Sequence, residues 1–391
     1  MVNNFIFENA TKVYFGKGCV KEYLYCCLKN YGENIMLAYG SGSVKKNGIY
    51  DEVVSILHSL GKHITEFSGI MPNPTYQKVL EGAKTAKENN IDFILGVGGG
   101  SVMDCCKAIS MAAVYKGDIW KDFWERAGVI DFEPLPLGVI VTAAGTGSEC
   151  NGGAVITNEA KKVKTGRDYP NCNPKFAFID PIYTYSLPIK QMISGGFDIL
   201  SHIMETYFSE PNEDNVSDYI AEGLMKSVIH NLREAVKNPQ NYTARSNLLW
   251  ASTMAENRVI KLGKKCDFQC HQMEHQLGAY TDCNHGFGLA VLQPVYYGHI
   301  YEYGLPKFVR FAENVWSIQR NDRSDKELAK AGVEALADFI KELGLPVTLK
   351  ELGMKERKHL KSIAYSCNIS QGSYKKMTHD EILEIFNECF E

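Results

Sequence analysis

The feature that most restricts the fold is a glycine-rich turn that recurs three times, each time at the end of an apolar, strand-like run. "YGSGSVKKNG" (39–48) continues the buried-strand pattern "NIMLAYG", "VGGGSVMD" (97–104) continues "IDFIL", and "TAAGTGSE" (142–149) continues "LPLGVIV". Between them "SVKKNGIYDEVVSILHSLG" reads as one helix with a glycine stop, "KHITEF" as a strand, and "PNPTYQKVLEGAKTAKENN" as a helix opened by prolines. Such alternation implies right-handed crossovers and a parallel sheet covered on both faces.

No single turn is diagnostic. Gly40-Ser41-Gly42 starts like a dinucleotide fingerprint, but Lys45 takes the third glycine position, and a plain strand–helix turn explains the run as well. Three consecutive glycines at 98–100 carry an entropic penalty. A closely approaching ligand is the better account there, with Ser101 as the expected N-cap. The third turn presents hydroxyls at Thr142, Thr146 and Ser148. Three such turns at the C-terminal ends of parallel strands converge on the crevice where doubly wound sheets bind nucleotides.

After "FAFIDPIYTYSLP" (176–188) the pattern becomes almost wholly helical. We therefore expect an α/β dinucleotide-binding domain with a parallel sheet over 1–188, followed by an all-α domain over 189–391. The length suits two well-buried cores.

The second domain holds "HQMEHQLGAYTDCNH" (271–285), with three of the chain's ten histidines. His271 and His275 stand four apart, on one face of a helix, and His285 follows a run of turn-favouring residues. Neutral imidazole is the commonest metal ligand, but core histidines are common too. "GGFDILSHIMETYFS" (195–209) supplies Asp198 and His202, again four apart on an apolar helical segment. A buried unpaired carboxylate is costly, so Asp198 shifts the reading toward a metal. A carboxylate with imidazoles suits Fe2+, Zn2+, Mn2+ or Co2+. Cys266 and Cys270 flank the cluster without the paired spacing of a structural zinc site.

The net charge of −4 gives no electrostatic footprint for nucleic acid or anionic lipid, and the basic run Lys161, Lys162, Lys164, Arg167 by itself suits a solvated loop. Twelve cysteines show no disulfide spacing, the N-terminus has no signal-peptide pattern, and no apolar run is long enough for a bilayer. A cytoplasmic protein with free thiols is expected.

Taken together, these segments resemble the iron-dependent alcohol dehydrogenase family, in particular its butanol dehydrogenase-like branch. The resemblance spans the chain. "NATKVYFGKG" (9–18) is similar to the family's opening hairpin, and "YGSGSVKKNGIYD", the Pro-Asn-Pro of 72–74, "GGGSVMD", "GTGSE", "FDILSH" and "HGFGLAVLQP" follow in order. It implies that Asp198, His202, His271 and His285 ligate one divalent metal, Fe2+ first and Zn2+ second, while His275 faces nicotinamide and substrate. Gly99, Gly100 and Ser101 would lie along the pyrophosphate, and Asn73, Thr142, Thr146 and Lys164 around the rest of the dinucleotide. Ala143 stands where the family often has threonine, which removes one hydroxyl contact. A homodimer acting on small primary alcohols and aldehydes such as butanol and butanal is implied.

Discrimination against a 2′-phosphate usually comes from an acid near the adenosine ribose. The resemblance places that residue at Ser41. Gly40, Ser41 and Ser43 leave space there, and Lys45 and Lys46 add positive charge, so NADP(H) is expected over NAD(H). Alternatives are a glycerol or diol dehydrogenase, a dehydroquinate synthase-type lyase, which would need clustered Arg and Lys around the metal, and a non-catalytic metal or nucleotide sensor.

Overall fold

The computed structural model describes residues 3–369, 372 and 374–391. Two compact units form, one of Glu8–Pro188 and one of Ile189–Glu391, the latter also taking the leading residues through Phe7. Asn3 shows why these go with the second unit: its backbone N–H donates to the Gly263 carbonyl at 3.1 Å.

The α/β unit contains β1 (Lys12–Phe15), α1 (Cys19–Leu28), β2 (Asn34–Tyr39), α2 (Ser43–Lys46), α3 (Ile49–Ser59), β3 (His63–Phe67), α4 (Tyr76–Glu88), β4 (Phe93–Gly98), α5 (Gly100–Ala112), β5 (Leu137–Val141), β6 (Gly153–Asn158), β7 (Val163–Asp168) and β8 (Phe176–Ile179). Six strands form one parallel sheet in the order β1-β8-β5-β4-β2-β3. Winding reverses between β2 and β4, which makes their C-terminal ends the switch point of a doubly wound sheet. The first glycine turn leaves β2 and the second leaves β4, so the two flank that point. Ile35, Leu37, Phe93, Leu95, Phe176 and Phe178 are buried in the core, as strands covered on both faces require.

Four local expectations need correction. The helix expected after the first turn breaks into α2 and α3, because Gly48 adopts φ 82°, a left-handed conformation that an L side chain resists. Gly99, not Ser101, precedes α5, whose first residue is Gly100. The stretch similar to an opening hairpin forms one strand, β1, paired in parallel with β8. The basic run expected in a loop lies largely on the antiparallel hairpin β6–β7, whose register sets Thr157 opposite Lys164.

The helical unit comprises α6 (Ile189–Tyr207), α7 (Val216–Lys237), α8 (Tyr242–Glu256), α9 (Gln269–Thr281), α10 (His285–Ile300), α11 (Leu305–Arg310), α12 (Asp325–Glu342), α13 (Leu360–Ser366) and α14 (His379–Glu388). Nearly every residue of α6 from Met192 onward is buried, so this helix is the centre of the unit and its polar residues must find partners inside it. Among the described residues no helix is long and apolar enough to cross a membrane. All twelve cysteines are free thiols.

Candidate metal centre and dinucleotide site

Asp198 and His202 occupy successive turns of α6, and His271 opens α9. The α9 helix ends at Thr281; Asp282 turns the chain at φ 52°, and Asn284 caps α10 by accepting from the Phe287 N–H at 3.2 Å. That short corner brings His285, the first residue of α10, back beside α9. Close packing on α6 sets its position: a Cβ on Gly286 would come within 2.4 Å of the Ser194 carbonyl.

The result is a buried convergence on one carboxylate oxygen. Asp198 Oδ1 lies 3.6 Å from His202 Nδ1, 3.8 Å from His271 Nε2 and 3.5 Å from His285 Nε2. Asp198 Oδ1, His202 Nδ1 and His271 Nε2 are buried and hydrogen-bond to nothing in the chain. Each such atom is unfavourable by roughly 1–3 kcal/mol when left unsatisfied. The spacings are too long for hydrogen bonds, yet close to the ~3.4 Å between neighbouring ligands of one ion at tetrahedral distances. The donor set therefore fits a divalent metal.

Two carboxylates behind the rings strengthen that fit. Glu205, on α6, accepts from His271 Nδ1, and Glu274, on α9, accepts from His285 Nδ1. A carboxylate on Nδ1 fixes the tautomer and turns the Nε2 lone pair toward the shared point. Glu205 also accepts from the Cys270 N–H at 2.8 Å, so one side chain anchors both the start of α9 and its ring. Burial alone would raise the Asp198 carboxyl, but His202, His285 and His271 hold it far below its ordinary range. Burial pulls His202 downward. In His271 burial acts the same way but is outweighed by the negative charges of Glu205 and Asp198, which shift the ring upward.

His275, one turn after His271, is buried with its ring centroid 5.7 Å from that of His285 and 6.2 Å from that of His271. Glu274, His275 and His285 also offer ligand atoms within 4.8 Å of one another. Glu274 is already committed to His285 Nδ1, which favours the grouping around Asp198. No cysteine joins either cluster among the described residues.

In the α/β unit the second and third glycine turns touch. Thr142 N–H donates to the Gly98 carbonyl at 3.0 Å, and a Cβ on Gly100 would lie 2.4 Å from Thr146 Oγ1. A side chain at 100 would force Thr146 to move away from the turn. Asn73, at φ 51°, lies in the Pro-Asn-Pro loop, which is tied to the hairpin by Thr157 N–H donating to the Pro74 carbonyl at 2.9 Å. Since Lys164 faces Thr157 across the hairpin, Asn73 and Lys164 are brought to one region. Lys164 is buried, not a solvated loop charge. Gly40 joins this end of the sheet through its carbonyl, which accepts from Gly69 N–H at 3.0 Å.

A pair absent from the sequence reading holds the third turn. Buried Lys107 donates to the Ser148 carbonyl at 2.6 Å, Asn151 Oδ1 at 3.1 Å and the Gly153 carbonyl at 2.8 Å. Asp104 accepts from Ser148 Oγ at 2.6 Å and Val155 N–H at 2.9 Å. Burial raises the Asp104 carboxyl and lowers the Lys107 ammonium, each opposed by the other's charge.

A doubly wound domain with a glycine-lined switch point, followed by a helical unit built around a carboxylate and clustered imidazoles, fits a class of metal-linked, dinucleotide-dependent oxidoreductases. Comparison with known proteins specifies the family. The iron-containing alcohol dehydrogenase model matches residues 10–181, and the C-terminal model of the Fe-containing alcohol dehydrogenase family matches 192–390. NADH-dependent butanol dehydrogenase A of Clostridium acetobutylicum is 37% identical, covering 99% of this chain and 100% of its own. The NADPH-dependent aldehyde reductase YqhD of Escherichia coli is 34% identical over 90% of each chain. The crystal structure of NADH-dependent butanol dehydrogenase A from Thermotoga maritima superposes with a TM-score of 0.94 at 34% identity, covering 100% of this chain and 99% of that one. The chain belongs to the iron-containing alcohol dehydrogenase family, with butanol dehydrogenase-like relatives, and is an oxidoreductase acting on CH–OH groups.

Proposed function

We propose that this chain is a metal-dependent, NAD(P)H-linked alcohol dehydrogenase and aldehyde reductase for small primary alcohols and aldehydes such as butanol and butanal. One observation carries the proposal: three buried ligand atoms without partners, on Asp198, His202 and His271, face one another, with His285 Nε2 beside them. In this reading those four residues hold the divalent metal, with Fe2+ first and Zn2+ second. The α/β domain takes the dinucleotide, with Gly99, Gly100 and Ser101 along the pyrophosphate and Gly40, Ser41, Ser43, Asn73, Thr142, Thr146 and Lys164 around the remainder.

When bound, a divalent ion supplies Lewis acidity toward an alcohol or carbonyl oxygen, and the nicotinamide supplies or accepts hydride. Glu205 and Glu274 keep the His271 and His285 rings oriented. His275 hydrogen-bonds the substrate and relays its proton. Burial of the cluster excludes water and strengthens each polar contact within it.

NADP(H) is the preferred dinucleotide in this proposal, because Gly40–Ser43 carries no acid, with NAD(H) as the alternative. The lyase reading is disfavoured, because the relatives matched over nearly the whole chain are named as a butanol dehydrogenase and an aldehyde reductase. A homodimer and a cytoplasmic location complete the proposal. Phe5, Ile6 and Phe7 form an exposed apolar run suited to a second copy, and the free thiols suit a reducing compartment. Assay of metal-reconstituted protein against C2–C6 aldehydes and diols tests it; turnover restricted to glycerol or diols would replace butanal by the alternative substrate class.

A further inference from the structure

The first glycine turn is bordered by a cluster that the sequence did not reveal. Glu66 is the penultimate residue of β3, the strand that follows the first glycine turn and its helices α2 and α3. Its Oε1 accepts from Tyr50 OH at 2.5 Å, and its Oε2 accepts from Tyr39 OH and from Lys45 Nζ, the latter at 3.0 Å. Tyr39 ends β2, Lys45 lies on α2 just beyond the turn, and Tyr50 opens α3. The Lys45 ammonium also stands 4.3 Å from the Tyr50 ring centroid and 5.3 Å from that of Tyr39, so both aromatic faces hold it. The three donors keep the Glu66 carboxyl ionised, at about 2.

Glu66 stands near the end of the next strand, where its hold on Lys45 sets it beside the first glycine turn. Its side chain and that of Lys45 are 42% and 45% exposed, so a ligand on the turn can reach both. Lys45 is the charge that the open Ser41 position would otherwise offer to a 2′-phosphate.

We infer that Glu66 is a specificity-determining residue that weakens 2′-phosphate recognition by holding Lys45 and adding negative charge beside the first glycine turn. The inference rests on the α/β unit being the dinucleotide site. It fixes the direction of an effect whichever dinucleotide the wild type prefers: removing the Glu66 charge releases Lys45 and moves selectivity toward NADP(H).

The test uses metal-loaded protein and two probes that differ only in the phosphate concerned, 5′-AMP and adenosine 2′,5′-bisphosphate, titrated calorimetrically. Glu66→Gln raises the affinity ratio of bisphosphate to 5′-AMP by about three- to fivefold, the worth of one exposed charge contact. Lys45→Gln in the Glu66→Gln background cancels that gain, as a coupled pair requires. In turnover the change falls on the KM for NADPH relative to NADH, with kcat for the two kept in the same proportion. Binding of 5′-AMP to Glu66→Gln at wild-type strength shows that the site remains folded. An unchanged ratio, or a gain that survives in the double variant, overturns the inference alone. Failure of both probes to bind the wild type overturns the dinucleotide reading and the inference with it.

Discussion

The His271 ring on α9 donates its Nδ1 proton to Glu205 on α6, which leaves Nε2 facing Asp198 Oδ1 at 3.8 Å. Glu274 holds His285 in the same way. The two carboxylates aim imidazoles at a point they do not themselves touch. Glu205→Gln and Glu274→Gln are each expected to weaken metal binding about 10–100-fold while the protein stays folded. Competition against a chelator, with circular dichroism as the control for folding, measures this. Unchanged metal affinity in both variants would remove the orienting role.

His271 and His275 separate by function in this account. His271→Ala should lose bound metal and activity together. His275→Ala should retain about one metal per chain while kcat falls or its pH profile changes. Elemental analysis of the two purified variants, with their pH–rate profiles, decides the assignment. Metal loss in His275→Ala with retention in His271→Ala would exchange the two roles.

Dinucleotide choice is tested at the first glycine turn. Wild-type kcat/KM should be higher with NADPH than with NADH, and Ser41→Asp should reverse the order through repulsion of the 2′-phosphate. A wild-type preference for NADH would refute the expected choice.

The last helix makes an independent prediction about stability. Thr378 and Glu381 form a capping box at α14, and Lys375 pairs with Glu381 at 2.8 Å. Lys375 first, then the Thr378 N–H, hold the Glu381 carboxyl at about 2, against an ordinary value of 4.5. A depressed carboxyl pKa contributes stability that is full above about pH 4.5 and is lost as pH falls toward 2. Glu381→Gln, which keeps the capping-box acceptor but removes the charge paired with Lys375, should lower stability at pH 7 by roughly 1 kcal/mol and flatten this part of the acid limb. Urea unfolding at pH 7 and at pH 3 measures both; an acid limb identical to that of the wild type would contradict the linkage.

The centre of the parallel sheet was legible because β2, β4 and β5 are continuous apolar runs that lead into glycine turns, a pattern that burial on both faces demands. Asp198 and His202 were legible from helical spacing, as were His271 and His275, but periodicity alone could not say which α9 ring faces Asp198. Glu205 carried the signal that identified Asp198, an acid on an apolar helix, and its role emerges only when α9 packs against α6. Glu274 lies inside the histidine run, but its role is set only when His285 returns beside α9 through a corner. Asp104 and Lys107 look like an ordinary polar pair one helical turn apart; only the fold brings Ser148 and Val155 to them. Lys45 shows the opposite failure. Its charge was legible, but its neutralisation by Glu66 depends on strand pairing between β2 and β3.

The most direct test of the central claim is metal content paired with butanal turnover, measured on the same preparations of wild type and Asp198→Ala. The wild type should hold about one divalent ion per chain, lose turnover on chelation and regain it on reloading, whereas Asp198→Ala should neither hold the ion nor turn over. Undiminished turnover in protein shown to be metal-free, or an Asp198→Ala variant that keeps both metal and activity, would contradict it.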